Sequence, residues 1–225
     1  MWLPGRSGVA QTRPSATWGD AAAVAAAGAL YLLPSALGLP KGAPSCAPCD
    51  PATLPGIDRW AVGPVSHAAD AASSVVLVGV AGWTVLAGLR GLPADEWRRN
   101  FATFAEATSW TAASTEWLKV LVRRKRPVLY TSDAALAAAD RESQESLPSG
   151  HTALAFAAAT TYLVISRREH LPHRTRNTLL LYAGAVAVGA LRVAAAQHFP
   201  SDVAAGAALG IGIGWLVPTI HPMTR

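Results

Sequence analysis

The residues of this chain with chemical potential fall in three short groups. Leu147-Pro148-Ser149-Gly150-His151-Thr152 is a polar turn that opens an apolar, Ala-rich run. Pro148 sets φ near its helical value, Ser149 is a capping type, and Gly150 lets a ligand approach the backbone. The free N–H groups of such a helix start, together with the helix dipole, favour an anion. His151 adds a group that can donate a proton near neutral pH. The second group is Lys119 with Arg126-Pro127 seven residues on, and the third is Arg192, His198 and Asp202. Lys119, Arg126 and Arg192 supply three cations, two of them guanidinium forks suited to bidentate contact with phosphate oxygens. Asp202, four residues after His198, is placed to hold one imidazole nitrogen protonated and leave the other lone pair free to attack. His151 has no such carboxylate nearby in sequence and suits the general acid. Two histidines beside a cationic pocket fit phosphoryl transfer, which needs positioning and charge stabilisation above all.

Bringing three distant groups together requires a scaffold, and the composition indicates which. Of 225 residues, 51% are hydrophobic and 15% are charged. Soluble domains carry about 25% charged residues, so much of this chain is expected to face lipid. The net charge of +5 resides in loops between apolar runs, which argues against a nucleic-acid surface. A Pro-, Gly- and Ser-rich stretch, 1–19, reads as a flexible tail, followed by a membrane-embedded unit over 20–225. Six runs of roughly the 20 residues that a bilayer needs lie at about 21–39, 73–89, 101–122, 151–165, 178–196 and 202–220. The expected fold is therefore all-α, an integral membrane bundle of six transmembrane helices. The first run is read as a retained helix and not a cleaved signal peptide, because no small-x-small site ends it.

The third run carries Glu106, Thr108, Ser109, Thr111, Ser114, Thr115 and Glu116. Such side chains are costly against lipid, so this helix must turn a wide face into the bundle or a wet cavity. Gly206, Gly210 and Gly214 recur every fourth residue in the last run, the spacing of a helix-packing face. Arg6, Arg13, Arg90, Arg98, Arg99, Arg167, Arg168, Arg174 and Arg176 cluster on one side of the expected bundle. The positive-inside rule makes that side cytoplasmic, which puts all three chemical groups at the opposite, extracytoplasmic face. Arg123 to Arg126 break the rule there, and anion binding supplies a reason.

Lys119-x6-Arg126-Pro127, Pro148-Ser149-Gly150-His151 and Arg192-x5-His198-x3-Asp202 together resemble the signature of the type 2 phosphatidic acid phosphatase superfamily. The three blocks stand in order and at the family's spacing, and the likeness is strong over roughly residues 100–205. Leu191 departs from the small residue, such as Ser, usual before the arginine, which bears on a supporting hydrogen bond and on no catalytic role. The resemblance implies a membrane phosphatase acting on a lipid phosphate monoester or diphosphate at a bacterial-type cytoplasmic (inner) membrane, with its site facing the periplasm or exterior. It implies a phosphohistidine on His198, with Asp202 orienting the ring and His151 protonating the leaving oxygen. Lys119, Arg126, Ser149, Gly150 and Arg192 would hold the phosphoryl oxygens. No metal and no cofactor is implied, and three cations around the histidines would repel a divalent ion. The implied partners are a membrane lipid phosphate and the bilayer, with no nucleic acid. A phosphotransferase using another alcohol as acceptor fits the same motifs, and a non-catalytic lipid-binding or transport protein is the reading from another class. Outside the signature, Arg123, Arg124 and Lys125 are assigned to lipid head groups or solvent, and Glu116 to pairing with Lys119. His67 and Asp70 are given structural roles, and Cys46 and Cys49 a small-loop disulfide.

Overall fold

The computed structural model describes residues 18–90 and 92–220. Among them are six long helices, α1 (Trp18–Ala36), α3 (His67–Leu89), α4 (Ala94–Val122), α6 (Gly150–Arg168), α7 (Arg174–Ala194) and α8 (Pro200–Ile220). Two single-turn helices, α2 (Gly56–Arg59) and α5 (Ala134–Ala137), lie in the loops. No strand occurs among the described residues. The long helices alternate in direction, so the loops 37–66, 123–149 and 195–199 meet at one end of the bundle. Most of the expected tail, with Arg6 and Arg13, lies outside the described residues, while Trp18 and Gly19 already begin α1.

Among the described residues, four helices are long and apolar enough to cross a membrane: α1, α3, α7 and α8. The other two are more polar, and their place in the bundle explains why that is tolerated. The helix α6 is enclosed by α3, α4, α7 and α8. Its Ala155, Ala157, Ala159, Thr161 and Tyr162 are all fully buried. In α4, Thr108, Thr111 and Thr115 donate to the carbonyls of Phe104, Ala107 and Thr111 at 2.8, 2.6 and 2.7 Å. A hydroxyl satisfied inside its own helix carries little desolvation cost. Apolar side chains such as Leu32, Val75, Val78, Leu86 and Leu179 instead point outward and are more than half exposed. Large apolar side chains exposed on several helices in this way suit a surface that faces lipid.

The closest helix pair is α6 with α8. A Cβ added at Gly206 would lie 2.5 Å from the Ser149 carbonyl oxygen, and one at Gly214 would lie 2.6 Å from that of Ala157. At Gly210 it would overlap the Ala153 carbonyl. The glycine stripe thus lets the two backbones touch, as its spacing predicts. That contact sets the Pro148–His151 turn against the start of α8, where the Ser149 N–H donates to the Asp202 carbonyl at 3.0 Å.

Gly210→Ala isolates this contact. The added methyl gains about 1 kcal/mol of helix propensity but overpacks a backbone contact at about 1–3 kcal/mol. The expected result is a lower melting temperature in detergent, whereas Gly212→Ala, where a Cβ meets nothing within 4 Å, raises it or leaves it unchanged.

Candidate functional site

Two short segments deliver His198. The last turn of α7 closes on the Arg192 carbonyl, which accepts from the N–H groups of Gln197 and His198 at 3.2 and 3.3 Å. Ala196, in the left-handed region at φ 53°, makes this reversal, a helix ending usually given to glycine. Pro200 then starts α8, and the Asp202 carboxylate reaches back to accept from the Phe199 N–H at 2.8 Å, one half of the capping arrangement that fixes helix starts. His198 is buried between these segments.

The imidazole is not held as the sequence suggests. Its Nδ1 lies 2.6 Å from the Ser146 backbone carbonyl and 3.9 Å from the Asp202 carboxylate. A carbonyl only accepts, so Nδ1 carries the hydrogen and Nε2 keeps the lone pair. Asp202 acts one step further out: its Oδ2 accepts from the Ser146 hydroxyl at 2.6 Å. Burial pushes the His198 imidazole well below its ordinary 6.5, and the charges of Arg126, Arg192 and Lys119 push it further the same way.

The cations that act on His198 come from three elements. Lys119, in the last turn of α4, donates to Glu116 at 2.7 Å, the pairing expected from the sequence. Its Nζ passes 3.8 Å from where a Gly150 Cβ would sit, and Thr115 comes within 3.3 Å. Gly150 therefore gives room to α4 at the start of α6. Arg126 donates to Gln197 and, at 3.3 Å, to Glu142. Arg192 is buried, pairs with Asp70 and donates to Ser73 at 3.3 Å. Arg126 and Arg192 each retain a buried Nε–H without a partner. Buried donors are normally satisfied, and a phosphoryl oxygen is an acceptor of the right charge.

Ser149 occupies the N-cap position of α6 but makes no side-chain cap bond. Its fully buried Oγ accepts from Thr152 at 2.9 Å, which leaves the Ser149 O–H as a donor. The His151 Nε2 meets the Ser74 hydroxyl of α3 at 3.1 Å, a partner 77 residues away in sequence. The bundle thus gathers Lys119, Arg126, Ser149, Gly150, His151, Arg192, His198 and Asp202 at one end.

Several residues beyond the signature complete the arrangement. Ser146 holds His198, Gln197 holds Arg126, and Asp70 and Ser73 hold Arg192. Arg124, assigned to lipid or solvent from the sequence, instead turns inward between Asp58 and Asp202. Arg123 bonds the Lys41 carbonyl at 2.8 Å and Gln144 at 3.0 Å. For the α3 partners, Asp70 is given a structural role from the sequence, and the polar pair Ser73-Ser74 is the further signal; Asp58 in its Pro-rich loop gives none. The Cys46–Cys49 disulfide forms as expected, and the Cys49 N–H donates to the Leu129 carbonyl at 2.8 Å, tying the 37–66 loop to the 123–149 loop.

Residues 101–225 match the PAP2 superfamily, and the chain belongs to it. It is 32% identical over 139 residues to the decaprenylphosphoryl-5-phosphoribose phosphatase of Mycobacterium tuberculosis strains CDC 1551 and H37Rv, covering 62% of this chain and 71% of that protein. It is also 40% identical over 80 residues to the lipid A 1-phosphatase of Porphyromonas gingivalis, covering 34% of this chain and 16% of that protein. No solved structure matches the chain. The family and these relatives are phosphatases, and this chain is an enzyme of that class. Asp58, Asp70, Ser73 and Ser74 all lie before the matched region.

Removing Asp70 leaves the buried Arg192 guanidinium without its carboxylate. Breaking a fully buried pair costs about 3–5 kcal/mol, and the partial exposure of Asp70 reduces that to about 1–3 kcal/mol by solvent screening. Asp70→Ala is expected to lower the melting temperature in detergent, and Asp70→Asn, which keeps one acceptor, to lower it less.

Proposed function

We propose that this protein is a six-span integral membrane phosphatase that hydrolyses a lipid phosphate monoester or diphosphate through a phosphohistidine, without a metal. The membrane-embedded unit is taken as 20–225, with the six long helices crossing a bacterial-type cytoplasmic membrane. The basic loops 90–100 and 166–177 face the cytoplasm by the positive-inside rule, and the site faces outward.

One observation carries the reading. The His198 Nδ1–H is committed to a carbonyl at 2.6 Å, leaving the Nε2 lone pair as the nucleophile among Lys119, Arg126 and Arg192. In the proposed reaction, Nε2 attacks phosphorus and the bond to the leaving oxygen breaks. His151 gives that oxygen a proton. A water, deprotonated by His151, then attacks the phosphohistidine and releases inorganic phosphate. Lys119, Arg126, Arg192 and the backbone N–H groups of Gly150 and His151 would neutralise the developing charge, the role a metal fills in other phosphatases. Ser149 would add its hydroxyl to that cradle. The names of the relatives favour a phosphate on a lipid-linked sugar or glycolipid over one on a simple glycerolipid.

Purified protein is expected to release phosphate from such a lipid in EDTA, with vanadate inhibiting and added alcohol acceptors gaining no phosphate. His198→Ala should lower kcat by more than about 10⁴-fold, beyond the 10²–10⁴ range of acid–base help alone. Loss of activity on chelation, or an active His198→Ala, overturns the mechanism. A second measurement is the pH profile of kcat/KM. A depressed imidazole pKa keeps the nucleophile neutral as pH falls through 6.5, so the acid limb due to His198 lies below that pH. An acid limb above 6.5 that disappears in no other histidine variant contradicts this.

A further inference from the structure

We infer that Arg124 is a positioning residue for the nucleophile, acting through Asp202 and Ser146 without touching the phosphoryl group. This rests on the reading of His198 as nucleophile. Asp58 and Asp202 are both fully buried carboxylates, and each lies on a different element, α2 and α8. The Arg124 guanidinium stands between them. Its one NH2 donates to Asp58 at 2.7 Å, while NH1 donates to Asp202 and to the Ser201 hydroxyl. Its Cζ lies 4.7 Å from the Phe199 ring centroid. Asp58 also accepts from the Ser201 N–H at 3.0 Å and from the Ser201 hydroxyl at 2.7 Å. Burial alone would raise the Asp58 carboxyl, but the bonds from Arg124 and Ser201 outweigh it and hold it below the usual carboxylate range.

Each member of this chain has one geometric consequence for the next. Arg124 occupies one Asp202 oxygen, so the other is left for the Ser146 hydroxyl at 2.6 Å and the Phe199 N–H at 2.8 Å. Ser146 is thereby fixed, and the Ser146 N–H is tied in turn to the Arg124 carbonyl at 2.9 Å. Its own carbonyl then meets the His198 Nδ1. The tautomer and ring direction of His198 are thus set by a backbone carbonyl whose position depends on a buried Asp58–Arg124–Asp202 array. With its fork taken by two carboxylates, Arg124 has no role in holding phosphate, unlike Arg126 two residues on. A bidentate fork is required: a lysine ammonium is a point donor on a flexible stem and cannot hold the same planar, two-sided arrangement.

The test compares Arg124→Met, Arg124→Lys, Asp58→Asn and His198→Gln as purified full-length proteins in detergent. Two quantities are read: kcat on the lipid phosphate, and the inhibition constant of inorganic phosphate. Arg124→Met is expected to lower kcat by at least 30-fold, by analogy with the 10–100-fold losses seen when residues supporting a reactive group are removed. Arg124→Lys should recover only part of that loss, and Asp58→Asn should fall between wild type and Arg124→Met. The inhibition constant should stay within about threefold throughout, because the phosphate-holding cations are untouched. A parallel rise in the inhibition constant and fall in kcat would show a merely structural role and overturn the inference. Full activity in Arg124→Met beside an inactive His198→Gln would overturn it while leaving the nucleophile assignment intact. An active His198→Gln would instead overturn the assignment on which it rests.

Discussion

Two helix starts, those of α6 and α8, face each other across a contact in which backbone meets backbone. The glycines of α8 remove every Cβ that would keep the helices apart, and the Ser149 N–H closes on the Asp202 carbonyl. Everything at the site depends on this approach. It sets the first turn of α6 beside the segment that carries His198, and it leaves Asp202 at the junction.

Around that junction the protein concentrates positive charge and then tempers it. Arg192 leans on Asp70, Lys119 on Glu116, Arg126 on Glu142 and Gln197, and Arg124 on Asp58 and Asp202. Buried cations without partners would carry a large desolvation cost. Fully paired ones would offer nothing to an anion. The arrangement lies between these extremes, since Arg126 and Arg192 each keep a buried Nε–H unmatched. Burial, and after it the charges of these cations, lower the His198 imidazole below its ordinary range, so on the proposed reading one charge pattern would serve both binding and activation.

The polar helices show how the fold tolerates such a site within an apolar frame. Threonine hydroxyls of α4 close on carbonyls of their own helix, and α6 is wrapped by its neighbours. The outer helices supply the apolar surface, and the inner ones are free to carry the chemistry. The loops at the site end are drawn together by Arg123, Gln144 and the disulfide-bearing segment, which places Asp58 where Arg124 can reach it.

The sequence by itself determined the parts governed by local rules. Apolar run length and loop charge defined the long helices. Glycine spacing announced the α6–α8 seam, and three motif blocks marked the residues that meet. It also determined the class of chemistry, because residue types such as paired histidines and guanidinium forks carry their reactivity with them. Tertiary structure alone decided which atoms bond to which. That His198 rests on the Ser146 carbonyl and not on Asp202, that His151 finds Ser74, and that Arg124 faces inward all depend on segments 52 to 78 residues apart. The physical reason is that hydrogen bonds are set by separations of tenths of an ångström. Helix periodicity fixes the side of a helix from which a residue emerges. Only the packing of one helix against another fixes where that side chain ends.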